Sequence, residues 1–325
     1  MTLASFDKKF KQSLPVWIIL MLFLGFGFGL WKPHASPSLK SWVFPLSFTM
    51  IYMMCIPLRI EAILDVFKRP KELLIALGMS LIFAPLFMWP LGYFFLRNES
   101  IIFVGIILAS LVPPGGLTAF WAGIMDADVS LALMVEMFAL LLSIIWIPFG
   151  MKLLGGTMVT IKFTFLMEKI LILIIAPIIL GYLTRILIVK FKGERGFMSM
   201  KPAFSIISGL AALMIVFIAL SLKAPAILKH PMIIVLPAIV ALLYYSITFT
   251  FTGWLTLKPL KIKYEKAVPI VYATGTKNLS IAMALAITAF GPQAILGIVG
   301  CSVFQMPIAS LYYKHMLKFK PVTSS

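Results

Sequence analysis

Two stretches decide the fold: Leu111-Val112-Pro113-Pro114-Gly115-Gly116 and Ala273-Thr274-Gly275-Thr276-Lys277-Asn278. Each interrupts a long apolar run, over residues 101–124 and 267–290, that otherwise reads as one membrane-spanning helix. Proline lacks the amide hydrogen and its ring clashes with the preceding turn, while glycine has no Cβ to restrain the backbone. Two prolines followed by two glycines therefore stop a helix. A polar, glycine-containing segment does so at the second place. Non-helical backbone at bilayer depth is tolerated only where it lines a cavity or is buried in protein.

Composition sets the bilayer as the surroundings. Of 325 residues, 62% are hydrophobic and 12% charged, with mean hydropathy +1.06. Soluble domains carry about 25% charge, and surface-to-volume scaling leaves a soluble core too small to hide this much apolar area. A soluble enzyme, a nucleic-acid binder and a disordered chain are excluded. The net charge of +17 then reads as cationic loops on one membrane face. Cys55 and Cys301 lie in apolar runs, and His34, His230 and His315 fall in or beside loops. Neither set has metal-ligand spacing, so no metal and no other cofactor is expected.

A spanning helix needs about 20 mainly apolar residues. Ten segments meet this: 14–31, 42–58, 73–96, 101–124, 129–151, 165–189, 203–222, 232–257, 267–290 and 293–313. The first follows Lys8, Lys9 and Lys11 and resembles a signal peptide, but its apolar stretch is long and no Ala-x-Ala site follows. It is therefore expected to remain a span. Nineteen Lys and Arg fall on the side of the termini, eight on the other, and Lys277 within a span. That bias predicts a multi-pass protein of the cell membrane with both termini cytoplasmic.

The two breaks occupy the fourth place in each set of five spans. Five is odd, so the second set enters the membrane from the opposite side, the pattern of inverted repeats with a midplane transport site. The expected fold is all-α: ten transmembrane helices as two inverted five-helix repeats, 1–155 and 156–325, with helices 4 and 9 broken and crossing at the bilayer midplane.

Two ionisable residues lie at depth. Lys277 sits in the second break, and Glu136 lies about 12 Å into the fifth span, counted from Asp128 at 1.5 Å per residue. A charge at the centre of a spanning helix costs about 2.5–3.5 kcal/mol on insertion scales, so such residues usually pair and act. Their opposite signs suggest that they pair with each other. Thr118, Thr274, Thr276, Asn278, Ser280 and Gln305 are polar groups near the breaks, and each has the alternative of satisfying a neighbouring helix. Phe120 and Trp121 read as packing residues, and Asp126 and Asp128 as caps of the fifth helix. No Gly-x-Ser-x-Gly, His-Glu-x-x-His or intramembrane aspartate pair is present, so the chain is not read as an enzyme.

Ten spans, the Pro-Gly-Gly break, the turn Asp126-Ala127-Asp128-Val129-Ser130-Leu131 and the motif Gly275-Thr276-Lys277-Asn278 resemble the bile acid:sodium symporter superfamily. That group includes bacterial organic-anion symporters and arsenite efflux permeases. Phe67-Lys68-Arg69-Pro70-Lys71 and the stretch from Gly297 through Gln305-Met306-Pro307 look closer to the arsenite branch. The resemblance implies a panel domain rocking against a core that holds the crossed helices, the two interleaving across both repeats. It also implies a substrate site at Pro114, Gly115, Gly116, Thr118, Thr274, Gly275, Thr276, Asn278 and Ser280.

Departures from the family pattern are informative. The arsenite permeases carry a cysteine where this chain has Pro114, and a glutamate where it has Ser280. Sodium-coupled members place oxygen donors at positions that are here Ala273, Lys277, Ala132 and Glu136. Alkali cations need oxygen ligands, so the resemblance implies that a Glu136–Lys277 pair replaces bound sodium. The expected activity is sodium-independent secondary transport of a small organic anion by alternating access. Protons are one coupling ion and uniport is the alternative. Arsenite or antimonite efflux, sodium-coupled symport and a passive channel are the other readings. The partners implied are an anionic small molecule, the lipid bilayer and protons, with monomer and homodimer both open.

Overall fold

The computed structural model describes residues 3–33, 36–57, 70–157, 159 and 163–320. Among them the chain is helical throughout, with no strand and a single isolated β-bridge. The elements run α1 (Leu3–Trp31), α2 (Val43–Cys55), α3 (Pro70–Leu77), α4 (Ala84–Leu96), α5 (Ser100–Leu111), α6 (Leu117–Ile124), α7 (Val129–Leu154), α8 (Phe163–Ile170), α9 (Ala176–Lys229), α10 (Met232–Leu257), α11 (Tyr264–Gly275), α12 (Leu279–Ala289) and α13 (Pro292–Met316). A π-helical turn, Gly78–Phe83, joins α3 to α4, and another, Leu171–Ile175, joins α8 to α9.

Five continuous helical runs are long and apolar enough to cross a membrane: Pro70–Leu96, Val129–Thr157, Met167–Lys229, Met232–Leu257 and Pro292–Phe319. Val16–Trp31, Ser100–Leu111 and Leu279–Ala289 are shorter apolar helices. The run of 63 residues is far longer than the roughly 20 that one crossing needs. It turns at Gly193, whose φ of 68° and ψ of 172° are non-helical. An L side chain rarely adopts that φ, so glycine is required there. The expected spans 165–189 and 203–222 lie on either side of this kink.

Several boundaries differ from expectation. The first helix begins at Leu3 and takes in the basic stretch that precedes the apolar segment. Lysine has good helix propensity and nothing here stops the helix. Asp128 caps α7, its Oδ1 accepting from the Leu131 N–H at 2.9 Å. Asp126 does not; its φ is +52° and its carboxylate pairs with Lys320 at 2.7 Å. Most of the basic stretch before Pro70, including Phe67, Lys68 and Arg69, lies outside the described residues.

Packing is organised around two long helices. α9 lies along α1 and α2, and α13 lies along α10 and α5. α5 and α13 approach closely because glycines face them: a Cβ at Gly105 would overlap the Ala294 carbonyl, and one at Gly297 would lie 2.5 Å from the Ile102 carbonyl oxygen. Gly297→Ala should therefore overpack this contact at a cost of about 1–3 kcal/mol. Thermal unfolding in detergent should show a fall in Tm of about 5 °C. An unchanged Tm would mean that the two helices separate freely.

Candidate functional site

The two breaks meet. Residue 112 leaves α5 in an extended conformation (φ −64°, ψ 152°) and residue 276 leaves α11 likewise (φ −110°, ψ 89°). They run antiparallel and bridge at Pro114 and Lys277. The Asn278 N–H donates to the Pro113 carbonyl at 2.9 Å, and the Gly115 N–H to the Thr276 carbonyl at 3.3 Å. Backbone groups freed by one break are thus satisfied by the other, which is what burial demands. The Thr276 hydroxyl donates to the Tyr272 carbonyl at 2.6 Å, so Thr118 is the donor in the 3.1 Å contact between the Thr118 and Thr276 hydroxyls.

Two half-helices begin at this crossing. α6 starts after Gly116 and α12 after Asn278, whose Oδ1 accepts from the Ile281 N–H at 3.4 Å. Helix N-termini carry about +0.5 of an elementary charge each, so the crossing presents a positive field to whatever lies in front of it. Trp121 stands behind it, stacked on Tyr272 with ring centroids 5.2 Å apart, as a packing residue.

Lys277 is 2% exposed. Its ammonium donates to the Ser80 carbonyl and, at 2.8 Å, to the Ser80 hydroxyl. That hydroxyl in turn donates to the Ala273 carbonyl at 2.9 Å. The availability of the Ser80 carbonyl has a local cause. In the π-helical turn the Ala84 N–H goes to the Met79 carbonyl, and the next residue, Pro85, has no N–H to offer. No helical donor reaches Ser80, and the lysine fills the place. π-bulges recur at functional sites for this kind of reason. Sequence reading missed Ser80, although the spacing to Pro85 carried a signal.

A cavity of about 790 Å³ lies against the crossing. It extends towards the end of the molecule where α1 begins, since Asp7 and Phe10, Pro57 beyond α2, and Met198 and Lys201 beyond the Gly193 kink all line it. The crossing contributes Gly115, Gly116, Lys277, Asn278 and Ser280, and α7 contributes Glu136. Glu136 Oε1 lies 3.8 Å from where a Cβ on Gly116 would stand. The two ionisable residues marked in the sequence therefore border one space, while the hydrogen bonds of the ammonium run to Ser80.

The remaining sequence-predicted positions sit behind the wall. Pro114 forms the bridge, and Thr118 and Thr276 tie the breaks together. Thr274 donates back to the Ile270 carbonyl at 2.8 Å. Gly275 packs on the Phe249 ring, and Ala132 and Ala273 are fully buried. Met53, Met54, Met137, Met198, Met283 and Met306 line the cavity as well. Unbranched thioethers adapt their shape to varied apolar ligands. Cys55 and Cys301 are both buried, and neither lines this cavity.

The Sodium Bile acid symporter family matches residues 44–230 of the chain. "Uncharacterized protein YbaS" of Bacillus subtilis is 25% identical, over 86% of this chain and 91% of its own length. "Uncharacterized transporter slr0944" of Synechocystis is also 25% identical, with 87% and 81% covered. "Arsenical-resistance protein Acr3" of Alkaliphilus metalliredigens is 25% identical, with 87% and 84% covered.

Proposed function

The chain belongs to the Sodium Bile acid symporter family, and from that premise we propose that this membrane transporter carries a small organic anion independently of sodium. The observation that carries the reading is the Lys277 ammonium, held at the crossing by the Ser80 carbonyl and hydroxyl. A built-in ammonium ligated by oxygens there does the electrostatic work that a captured alkali ion does elsewhere in the family. Two helix N-termini add to the field, and the methionine-lined remainder of the cavity suits an apolar body.

In this reading the chain crosses the membrane ten times, each pair of half-helices counting once, and the repeats 1–155 and 156–325 are inverted. The termini are cytoplasmic, and the cavity faces them. α1, α2 and α9 form the panel that rocks against the core around a fixed crossing. Glu136 and Lys277 border the cavity as the groups that proton coupling would use.

The test is a thermal-shift screen of the purified protein with acetate, pyruvate, benzoate and succinate, in sodium or choline chloride. At least one carboxylate should raise Tm by about 3 °C or more through mass action, equally in both salts. An imposed pH gradient should then drive its uptake into liposomes. Stabilisation or uptake that requires sodium would overturn the reading.

A second reading is arsenite or antimonite efflux, favoured by the similarity to a protein named for arsenical resistance. Soft trivalent arsenic calls for thiolates, and neither cysteine reaches the cavity. Expression in an arsenite-sensitive strain discriminates: resistance would favour efflux.

A further inference from the structure

Gln305, on α13, is 4% exposed and lies where the cavity meets the crossing. Its Oε1 accepts from the Lys277 N–H at 3.0 Å, and its Nε2 donates to the Lys277 carbonyl at 3.1 Å. The Tyr245 hydroxyl, from α10, donates to the same Oε1 at 3.1 Å. One edge of the short extended segment 276–278 is paired with the first break. The side-chain amide of Gln305 pairs with its other edge as a neighbouring strand would.

We propose that Gln305 is the positioning residue of the crossing: fixed by Tyr245, its amide grips both peptide groups of Lys277 and presents its remaining N–H to the cavity. The choice of side chain follows from the need. An extended residue in a break has both an N–H and a C=O to satisfy, and burial makes either costly to leave alone. The Lys277 carbonyl also accepts from the Leu279 N–H at 2.9 Å, so the Lys277 N–H is the group that leans most on Gln305. Glutamine supplies an acceptor and a donor on one planar group. With both peptide groups held, the Lys277 side chain is directed at Ser80. The pairing with Lys277, whose N–H can only donate and whose carbonyl can only accept, settles which end of the amide is oxygen. It also leaves Nε2 with a second hydrogen that has no protein acceptor among the described residues. A donor already oriented costs a ligand oxygen little ordering to use.

The donor half of this inference rests on the transport reading above; the positioning half does not. Hydrogen–deuterium exchange of the protein in nanodiscs tests the latter without any ligand. Gln305→Leu should speed exchange in the segment 276–279 by about tenfold and leave α10 and α5 unchanged. Tyr245→Phe should speed it by about threefold. Gln305→Glu should restore protection at about pH 3.5, where a protonated carboxyl again offers one donor and one acceptor. Rates are compared with wild type at the same pH.

For the donor, Gln305→Leu should weaken, by about tenfold, whichever of acetate, pyruvate, benzoate or succinate stabilises the wild type. If none of the four does, the anion reading fails while the exchange experiment still decides the role of Gln305. The proposal is overturned if Gln305→Leu leaves 276–279 protected. It is equally overturned if faster exchange spreads evenly through α10 and α5, or if Gln305→Glu at about pH 3.5 is as exposed as the leucine variant.

Discussion

Lys277→Ala is expected to create a stabilising response to sodium that, under the proposed function, the wild type lacks. Truncation removes the ammonium and leaves the Ser80 carbonyl, the Ser80 hydroxyl and the Ala273 carbonyl around the space it filled. Oxygens of this kind are what a hard cation binds. At ten times its dissociation constant, sodium would add about 1.4 kcal/mol through mass action. Replacing choline by sodium should therefore raise the Tm of the variant by a few degrees and leave the wild type unmoved. Anion binding should fall by about a hundredfold without sodium, as a buried charge facing an anion is lost, and should recover in part with it. The fold should survive, because losing an expensive buried charge offsets much of the loss of its hydrogen bonds. If sodium leaves the variant unaffected while anion binding stays at wild-type strength, the ammonium is incidental.

The second large effect is expected from Pro113→Ala combined with Pro114→Ala. Each proline disfavours a continuous helix by about 3 kcal/mol relative to alanine. Without them only Gly115 and Gly116 oppose a helix running from Ser100 to Ile124. Such a helix would withdraw the Pro113 carbonyl from Asn278 and the Gly115 N–H from Thr276. It would also erase the N-terminus of α6 that faces the cavity. The double variant should show no carboxylate-induced thermal shift, a loss of about a hundredfold or more in affinity. Exchange should quicken at 276–279, whose partner strand has gone. Wild-type carboxylate binding would place the anion site away from the crossing.

Much of the architecture was legible because its causes are local. The apolar runs, the prolines and the glycines act on their own neighbours, so the breaks at 112–116 and 276–278 fall where the residues predict. Asp128 caps the helix that follows it for the same reason, whereas the cap that Asn278 gives α12 emerged only with the structure. The cap expected of Asp126 does not form, because its carboxylate pairs with Lys320, a partner far along the chain. The mutual pairing suggested for Glu136 and Lys277 rested on charge and depth alone. Those properties brought both residues to one cavity and did not name Ser80 as the acceptor of the ammonium.

What the amino-acid order determined alone is an apolar helical chain with two interrupted helices and an ammonium in the second interruption. Hydrophobicity and backbone propensity act over a few residues and need no partner. Tertiary structure decided what the interruptions do. It laid them against each other, brought the unpaired Ser80 carbonyl to Lys277, and set Gln305 along the free edge of its backbone. Those contacts join residues from separate helices. In a uniformly apolar span, which face of a helix meets which neighbour is settled by close packing, and no short-range pattern encodes it.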